Sequence, residues 1–316
     1  MTEDAKTKTV LITGAAGMVG RALLWELPAC RVIASDLAPP ADLPKGGEFC
    51  RMDVTTDDPA RVIGEYKPDV IVHLASIVTP PKGSSRDFAY AVDVAGTRKV
   101  LEAAVAHGVE RIIVTSSGAA YGYHADNPQP LRENDSLRGN PEFAYSDHKR
   151  QVEEMLAEYR RSAPQLQQVI LRVGTVLGAG TENQITALFR RPRLLAVTGS
   201  ESPFVFIWTR DLARILARAA TDGPEGVFNV AGDGAMGVTD LAQALGKPVL
   251  RLPAWVLKAA LALAKPLGLS QYGPEQVRFL QYRPVLDNSA LKRDFGYTPE
   301  LTSAEVFDLW RQQAGL

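Results

Sequence analysis

The chain has 316 residues, 46% of them hydrophobic, which suffices for a substantial core and excludes an intrinsically disordered polypeptide. Lys and Arg (35) nearly balance Asp and Glu (36), so no charge excess points to nucleic acid or to an anionic membrane. The two cysteines, Cys30 and Cys50, make neither a disulfide framework nor a metal spacing, and they fit a reducing cytoplasm.

The first element is Thr9–Thr13, a β-branched apolar run that reads as a buried strand. Gly14, Gly17 and Gly20 then lead into a helix that starts near Met18. A strand, a glycine turn and a helix start form a seat for a pyrophosphate. Gly14 allows the sharp turn, Gly17 clears a side chain from the phosphate, and Gly20 lets helix and strand pack closely. Met18 and Val19 are expected to line the same site. Residues 31–35 read as the second strand, closed by Asp36. A carboxylate there accepts from both ribose hydroxyls of an adenosine and repels a 2′-phosphate, which favours NAD over NADP. Asp53, with Val54 beside it, follows a short third strand over 49–52. Asp53 is read either as an acceptor for the adenine amino group or as a turn residue before the next helix.

Strand and helix go on alternating to about residue 175. Further strands are expected over 70–74, 111–115 and 168–171, with helices starting near Pro59, Asp87 and Ala144. This pattern predicts an α/β, Rossmann-type doubly wound parallel sheet, with the strands' C-terminal ends forming the ligand edge. Residues 122–143, rich in Asn, Pro, Asp and Gly, read as a long ordered loop near that edge. Beyond residue 176 come an extended stretch over 202–208, a helix over 210–220 and a strand over 227–230. Short helices follow near Asp240, Trp255, Pro274, Asn288 and Ser303. The division expected is a dinucleotide-binding domain over 1–175 and a smaller α/β substrate-binding domain over 176–316, with some chain crossing between them. The polar opening segment 2–8 predicts no secretory signal, and the apolar stretch 255–264 is too short to span a bilayer. A cytoplasmic protein is therefore expected.

Tyr145 and Lys149 stand four apart on the predicted helix over 144–161, so they share a face. A phenol with a pKa near ~10 is a poor base at neutral pH, but a nearby ammonium and an oxidised nicotinamide both favour the phenolate. Tyr145 then suits proton exchange with an alcohol or ketone. Ser117 lies just past a strand's C-terminal end, where its hydroxyl can donate to a carbonyl oxygen. His73, His107, His124 and His148 make no metal pattern. His73 reads as a packed residue, and His124 as a contact for substrate from the long loop.

With these residues in place, the chain resembles an extended short-chain dehydrogenase/reductase of the NAD-dependent epimerase/dehydratase family. The resemblance runs through the glycine segment 13–20, Asp36, residues 73–76, 115–117, 145–149 and 171–172, and in the second half 228–230 and 295–299. It implies that Ser117, Tyr145 and Lys149 are catalytic, with Lys149 also holding the nicotinamide ribose. It implies further that Leu74, Ala75, Ser76 and Thr115 line the cofactor and that Val173 meets its carboxamide. A homodimer through the helices 87–107 and 144–161 is implied as well.

Three departures bear on the substrate. Asp93 stands where the family often has Asn, either capping the same helix or altering the water chain behind Lys149. Gly118 and Ala119 replace the acidic pair of the dehydratases, which argues against elimination of water. Thr175 and Phe204 stand where sugar-nucleotide enzymes carry Asn and Arg, which removes groups that hold a diphosphate. The expected substrate is a small molecule, an apolar or aromatic secondary alcohol or ketone, in a cavity of Thr175, Phe204, Phe206, Trp208 and Trp255. The same aromatics read equally well as the core of the small domain. Arg190, Arg191 and Arg193 are either a grip for an anion or a solvated face. The alternatives kept are a UDP- or dTDP-sugar epimerase and a non-enzymatic NAD-sensing protein, the latter disfavoured because a sensor needs no proton relay.

Overall fold

The computed structural model describes residues 7–27, 29–78, 85–270 and 273–316, so residues 2–6 of the opening segment lie outside the described residues. The strands are β1 (Thr9–Thr13), β2 (Arg31–Asp36), β3 (Glu48–Arg51), β4 (Val70–His73), β5 (Arg111–Ser117), β6 (Gln167–Val173), β7 (Thr175–Leu177), β8 (Leu194–Val197), β9 (Phe206–Trp208), β10 (Gly226–Val230) and β11 (Val249–Leu252). Seven of them form one parallel sheet in the order β10-β6-β5-β4-β1-β2-β3. The order reverses between β1 and β4, which opens a crevice at the C-terminal ends of those two strands. The chain returns to the large sheet after leaving it, because β10 adds to β6 at the edge. Two small parallel pairs, β7 with β9 and β8 with β11, build the remainder.

The helices are α1 (Met18–Leu24), α2 (Asp58–Tyr66), α3 (Arg86–Tyr90), α4 (Thr97–Ala106), α5 (Ala144–Ser162), α6 (Gln184–Phe189), α7 (Thr209–Thr221), α8 (Val238–Leu245), α9 (Ala254–Ala264), α10 (Gln276–Gln281), α11 (Ser289–Arg293) and α12 (Ser303–Gln313). Period-two alternation in the buried strands sorts their side chains to opposite faces. Val10, Ile12, Val32 and Val72 meet Leu23 of α1 and Leu212, Ile215 and Leu216 of α7. Leu11, Ile33, Ile71 and Ile112 meet Val62 of α2, Val100 and Leu101 of α4, and Val152 and Leu156 of α5. Helices thus cover both faces, as a near-continuous apolar strand requires.

Two elements depart from the sequence expectation. The helix expected from Asp87 is interrupted by a π-helical turn over Ala91–Gly96, centred near Asp93. Trp255 does not wall a cavity: it is exposed, and Leu257 is the buried residue of α9. Among the described residues no helix is long and apolar enough to cross a membrane.

Candidate functional site

A cavity of about 730 Å³ opens at the C-terminal edge of the large sheet, between it and residues of the chain's second half. At one end lies the glycine turn. Gly14 has φ of 71°, and a Cβ there would stand 2.8 Å from the Ala75 nitrogen, so no other residue fits without moving the loop after β4. A Cβ on Gly20 would meet the Gly14 oxygen at 2.4 Å, so the helix can lie this close to the turn only with glycine. Gly17 also lines the cavity, beside Met18 and Val19. Asp36 does not line the cavity but is tied to the turn: its Oδ2 accepts from Ala16 N at 2.9 Å and its Oδ1 from Leu37 N at 2.7 Å. Each carboxylate oxygen keeps a further lone pair for a ribose hydroxyl. A cradle shaped by absent Cβ atoms fits a diphosphate, and the Asp36 carboxylate is bonded to the turn beside it.

Behind the cradle the polar groups are interlocked. His73 Nδ1 bonds Thr13 Oγ1 at 2.8 Å and its Nε2 bonds Thr97 Oγ1 at 2.9 Å. Burial, reinforced by the charge of Lys149 and opposed by that of Asp93, lowers the His73 pKa to about 4, so the ring is neutral at pH 7. Asp93 Oδ1 accepts from Ser76 Oγ and Ile77 N, both at 2.8 Å, and its Oδ2 lies 3.3 Å from His148 Nδ1. Burial opposes the Asp93 charge, but His148, Lys149 and the Ile77 and Ser76 donors together hold the carboxyl below its usual range. Asp93 therefore joins the loop after β4 to α5 from within the π-helical turn, a local irregularity that often marks a working site.

At the middle of the cavity the parallel pairing of β5 and β6 sets Ser117 opposite Val173. Ser117 Oγ accepts from Ala119 N at 3.1 Å, which leaves its O–H to donate. The α5 helix brings Tyr145 and Lys149 to the same wall. Lys149 Nζ donates to Thr115 O at 2.9 Å and stands 5.7 Å from the centroid of the Tyr145 ring. Leu74, Ser76, Thr115, Val173 and Thr175 line the cavity as well.

Several expected site residues lie elsewhere. Ala75 packs beneath Gly14 and is not on the cavity surface. Asp53 is bound up in a turn, where its Oδ1 accepts from Thr55 N and Thr55 Oγ1 at 2.9 and 2.7 Å. Val54 is buried where only a glycine at position 96 leaves it room. His124 is turned away, with its Nε2 on Gly139 O at 2.8 Å. Of the expected aromatic wall only Phe204 lines the cavity. Phe206 and Trp208 pack in a separate apolar cluster with Phe189, Phe307 and Trp310, because β9 is covered there by α12. Arg190, Arg191 and Arg193 are exposed and do not line the cavity. Among the described residues no cluster of His, Cys, Asp or Glu is arranged for a metal ion.

Sequence reasoning missed the cavity's far wall. Tyr123, Phe143, Phe279 and Arg283 line it together with Phe204. Tyr123 meets Phe143 and Phe279 edge-on at 5.3 and 5.5 Å. The only local signal was Phe143, two residues before Tyr145.

The profile of the NAD-dependent epimerase/dehydratase family matches residues 10–231. An uncharacterized protein of Mycobacterium tuberculosis is 26% identical over 318 aligned residues, 98% of this chain and 85% of that protein. The UDP-glucose 4-epimerase of Mycolicibacterium smegmatis is 32% identical over 167 residues, 48% of this chain and 50% of that enzyme. Among solved structures, UDP-glucose 4-epimerase of Thermotoga maritima with UDP-glucose superposes with a TM-score of 0.75 at 20% identity, covering 97% of this chain and 98% of that one. The match spans well over half the sequence and includes the glycine turn, Ser117, Tyr145 and Lys149: the chain belongs to the NAD-dependent epimerase/dehydratase family.

Proposed function

We propose that this protein is an NAD-dependent oxidoreductase of the extended short-chain type, acting on a secondary alcohol or ketone in a cavity with an aromatic wall. The observation that carries the reading is the convergence of Ser117, Tyr145 and Lys149 with the glycine cradle on one cavity. When bound, NAD supplies the hydride acceptor for alcohol oxidation and, reduced, the donor for the reverse. Gly14, Gly17 and Asp36 hold its adenosine diphosphate end, and Lys149 keeps donors for its second ribose. The Tyr145 hydroxyl takes the proton of the substrate alcohol, or returns it to a ketone. Ser117 donates to the same oxygen, where negative charge develops. The apolar faces of Phe204 and Phe279 exclude water from this step.

The test is net formation of NADH from NAD and a panel of aromatic secondary alcohols. A second reading, epimerisation of a sugar nucleotide, is favoured by the relatives and structures named as UDP-glucose 4-epimerases. It predicts no net NADH and saturable binding of UDP-glucose. Asp36→Ala discriminates the cofactor. Loss of hydrogen bonds to a charged acceptor is worth about 1.5–3 kcal/mol. NAD affinity is then expected to fall roughly 10- to 100-fold while NADP affinity holds or rises, measured by calorimetry. Wild type that prefers NADP would refute the role given to Asp36.

A homodimer through the helical segment 87–107, which holds α3 and α4, and through α5 belongs to the same reading. Both α3 and α4 pack against α5, and Phe88 and Tyr90 of α3 are each 43% exposed, an apolar surface suited to a second copy. Sedimentation velocity is expected to give twice the chain mass; a monomer at micromolar concentration would contradict the pairing.

A further inference from the structure

Among the described residues no carboxylate meets the buried guanidinium of Arg283. Its residue is 6% exposed, and it lines the cavity that holds Tyr145. Its Nη1 donates to Ser202 O at 2.5 Å and its backbone N donates to Ser202 Oγ at 3.1 Å. Nε is buried with no hydrogen-bond partner, and no bond from Nη2 is formed among the described residues. Phe204 and Phe279 flank the group, their ring centroids 3.8 and 4.6 Å from Cζ. Burial, against which only Tyr123 acts, lowers its pKa to about 9. A buried cation that lacks an anion carries a large desolvation cost.

The chain holds Arg283 there against a backbone preference. Ser202, itself buried, has φ of 33°, a region that a residue with a side chain rarely occupies. That conformation turns both its carbonyl and its hydroxyl onto Arg283. The strain and the uncompensated charge both become intelligible if the guanidinium receives an anion from the cavity.

We propose that Arg283 anchors the substrate through a carboxylate, so that the substrate is an aromatic or apolar acid bearing the reacting alcohol or ketone. This rests on the NAD-dependent reading of the same cavity. Nε is closed off by burial and Nη1 is held by Ser202 O, so Nη2 is the nitrogen left to donate, and a hydrogen bond from a guanidinium to a carboxylate is about twice as strong as one between neutral groups. At this end of the cavity Arg283 is the one lining cation among the described residues. The cavity's other lining cations, Arg21 and Lys149, belong to the glycine turn and to the Tyr145 wall. Arg278 pairs with Glu142 at 3.3 Å and does not line the cavity. Glu182, the one lining carboxylate among the described residues, faces Arg190 at 3.9 Å. Phe204 and Phe279 then receive the apolar body beside the anion.

The experiment measures binding of mandelate and phenyllactate, their primary amides, and UDP-glucose to the NAD-saturated protein, with NAD affinity determined in the same preparation. The acids are expected to bind at least 10-fold more tightly than the amides. Arg283→Gln should abolish that preference while leaving NAD affinity unchanged, and Arg283→Lys should restore part of it. Equal binding of acids and amides, or no binding of either, overturns the proposal; should Arg283→Gln fail to fold, this comparison in wild type still decides. Saturable UDP-glucose binding without binding of the acids assigns the anchor to a diphosphate and also overturns it. Failure of NAD itself to bind would instead sink the oxidoreductase reading, and the two failures are told apart.

Discussion

Tyr145→Phe is expected to lower kcat by roughly 10³-fold, within the usual worth of a positioned general acid or base. The substitution removes one hydroxyl and keeps the ring that stands 5.7 Å from Lys149 Nζ, so the wall of the cavity survives. NAD affinity should change by less than about 2-fold, because the substitution leaves the ring and the Lys149 ammonium, the proposed partner of the nicotinamide ribose, in place. kcat and kcat/KM are expected to fall together, the signature of an interaction made only in the transition state. Steady-state kinetics with calorimetry on the same sample reads both quantities. Retention of full turnover would mean that the proton travels by another route, and the role of Tyr145 would have to be abandoned.

Glu153→Ala is expected to cost about 3–5 kcal/mol of stability, the range for leaving a buried charge without its partner. Glu153 and Arg172 side chains are 3% and 6% exposed and meet at 2.7 Å. Arg172 Nε also reaches both carboxylate oxygens at 3.0 Å, and its Nη1 donates to the Tyr121 hydroxyl at 2.7 Å and to Glu133 O at 2.8 Å. Ser116 donates to the same carboxylate at 2.5 Å. The pair thus ties α5 to β5 and β6, one turn of helix beyond Lys149 and next to Ser117. Urea unfolding should give the single-variant loss, and Glu153→Leu combined with Arg172→Met should recover much of it, since no isolated charge then remains. A loss below about 1 kcal/mol for Glu153→Ala would show that Arg172 finds water or another acceptor.

The parts of the site that are legible in the sequence are those written within one supersecondary unit. Gly14, Gly17 and Gly20 announce the cradle because a tight turn and close helix approach leave no room for Cβ atoms. Tyr145 and Lys149 are visible through helical spacing, and Ser117 through its place at a strand end. Six strands of the large sheet follow from the same local alternation, whereas the strand Gly226–Val230 was legible as a strand but not as the edge of that sheet, because its partner β6 lies more than fifty residues earlier. The far wall is not local. Tyr123, Phe143, Phe204, Phe279 and Arg283 come from separate stretches, and α10 is too short to show a period. Phe206 and Trp208 misled because an apolar strand reads alike whether it faces a cavity or a core. The π-helical turn at Asp93 was hidden because one extra residue in a turn leaves the apolar pattern of the flanking helices nearly unchanged.

The measurement that bears most directly on this account is a crystal structure with NAD bound. The expected result has the diphosphate on the turn of Gly14 and Gly17, the adenosine ribose on Asp36, and the nicotinamide ring beside the Tyr145 hydroxyl. A complex with the nicotinamide away from Tyr145, or a protein that takes up no dinucleotide, would contradict it.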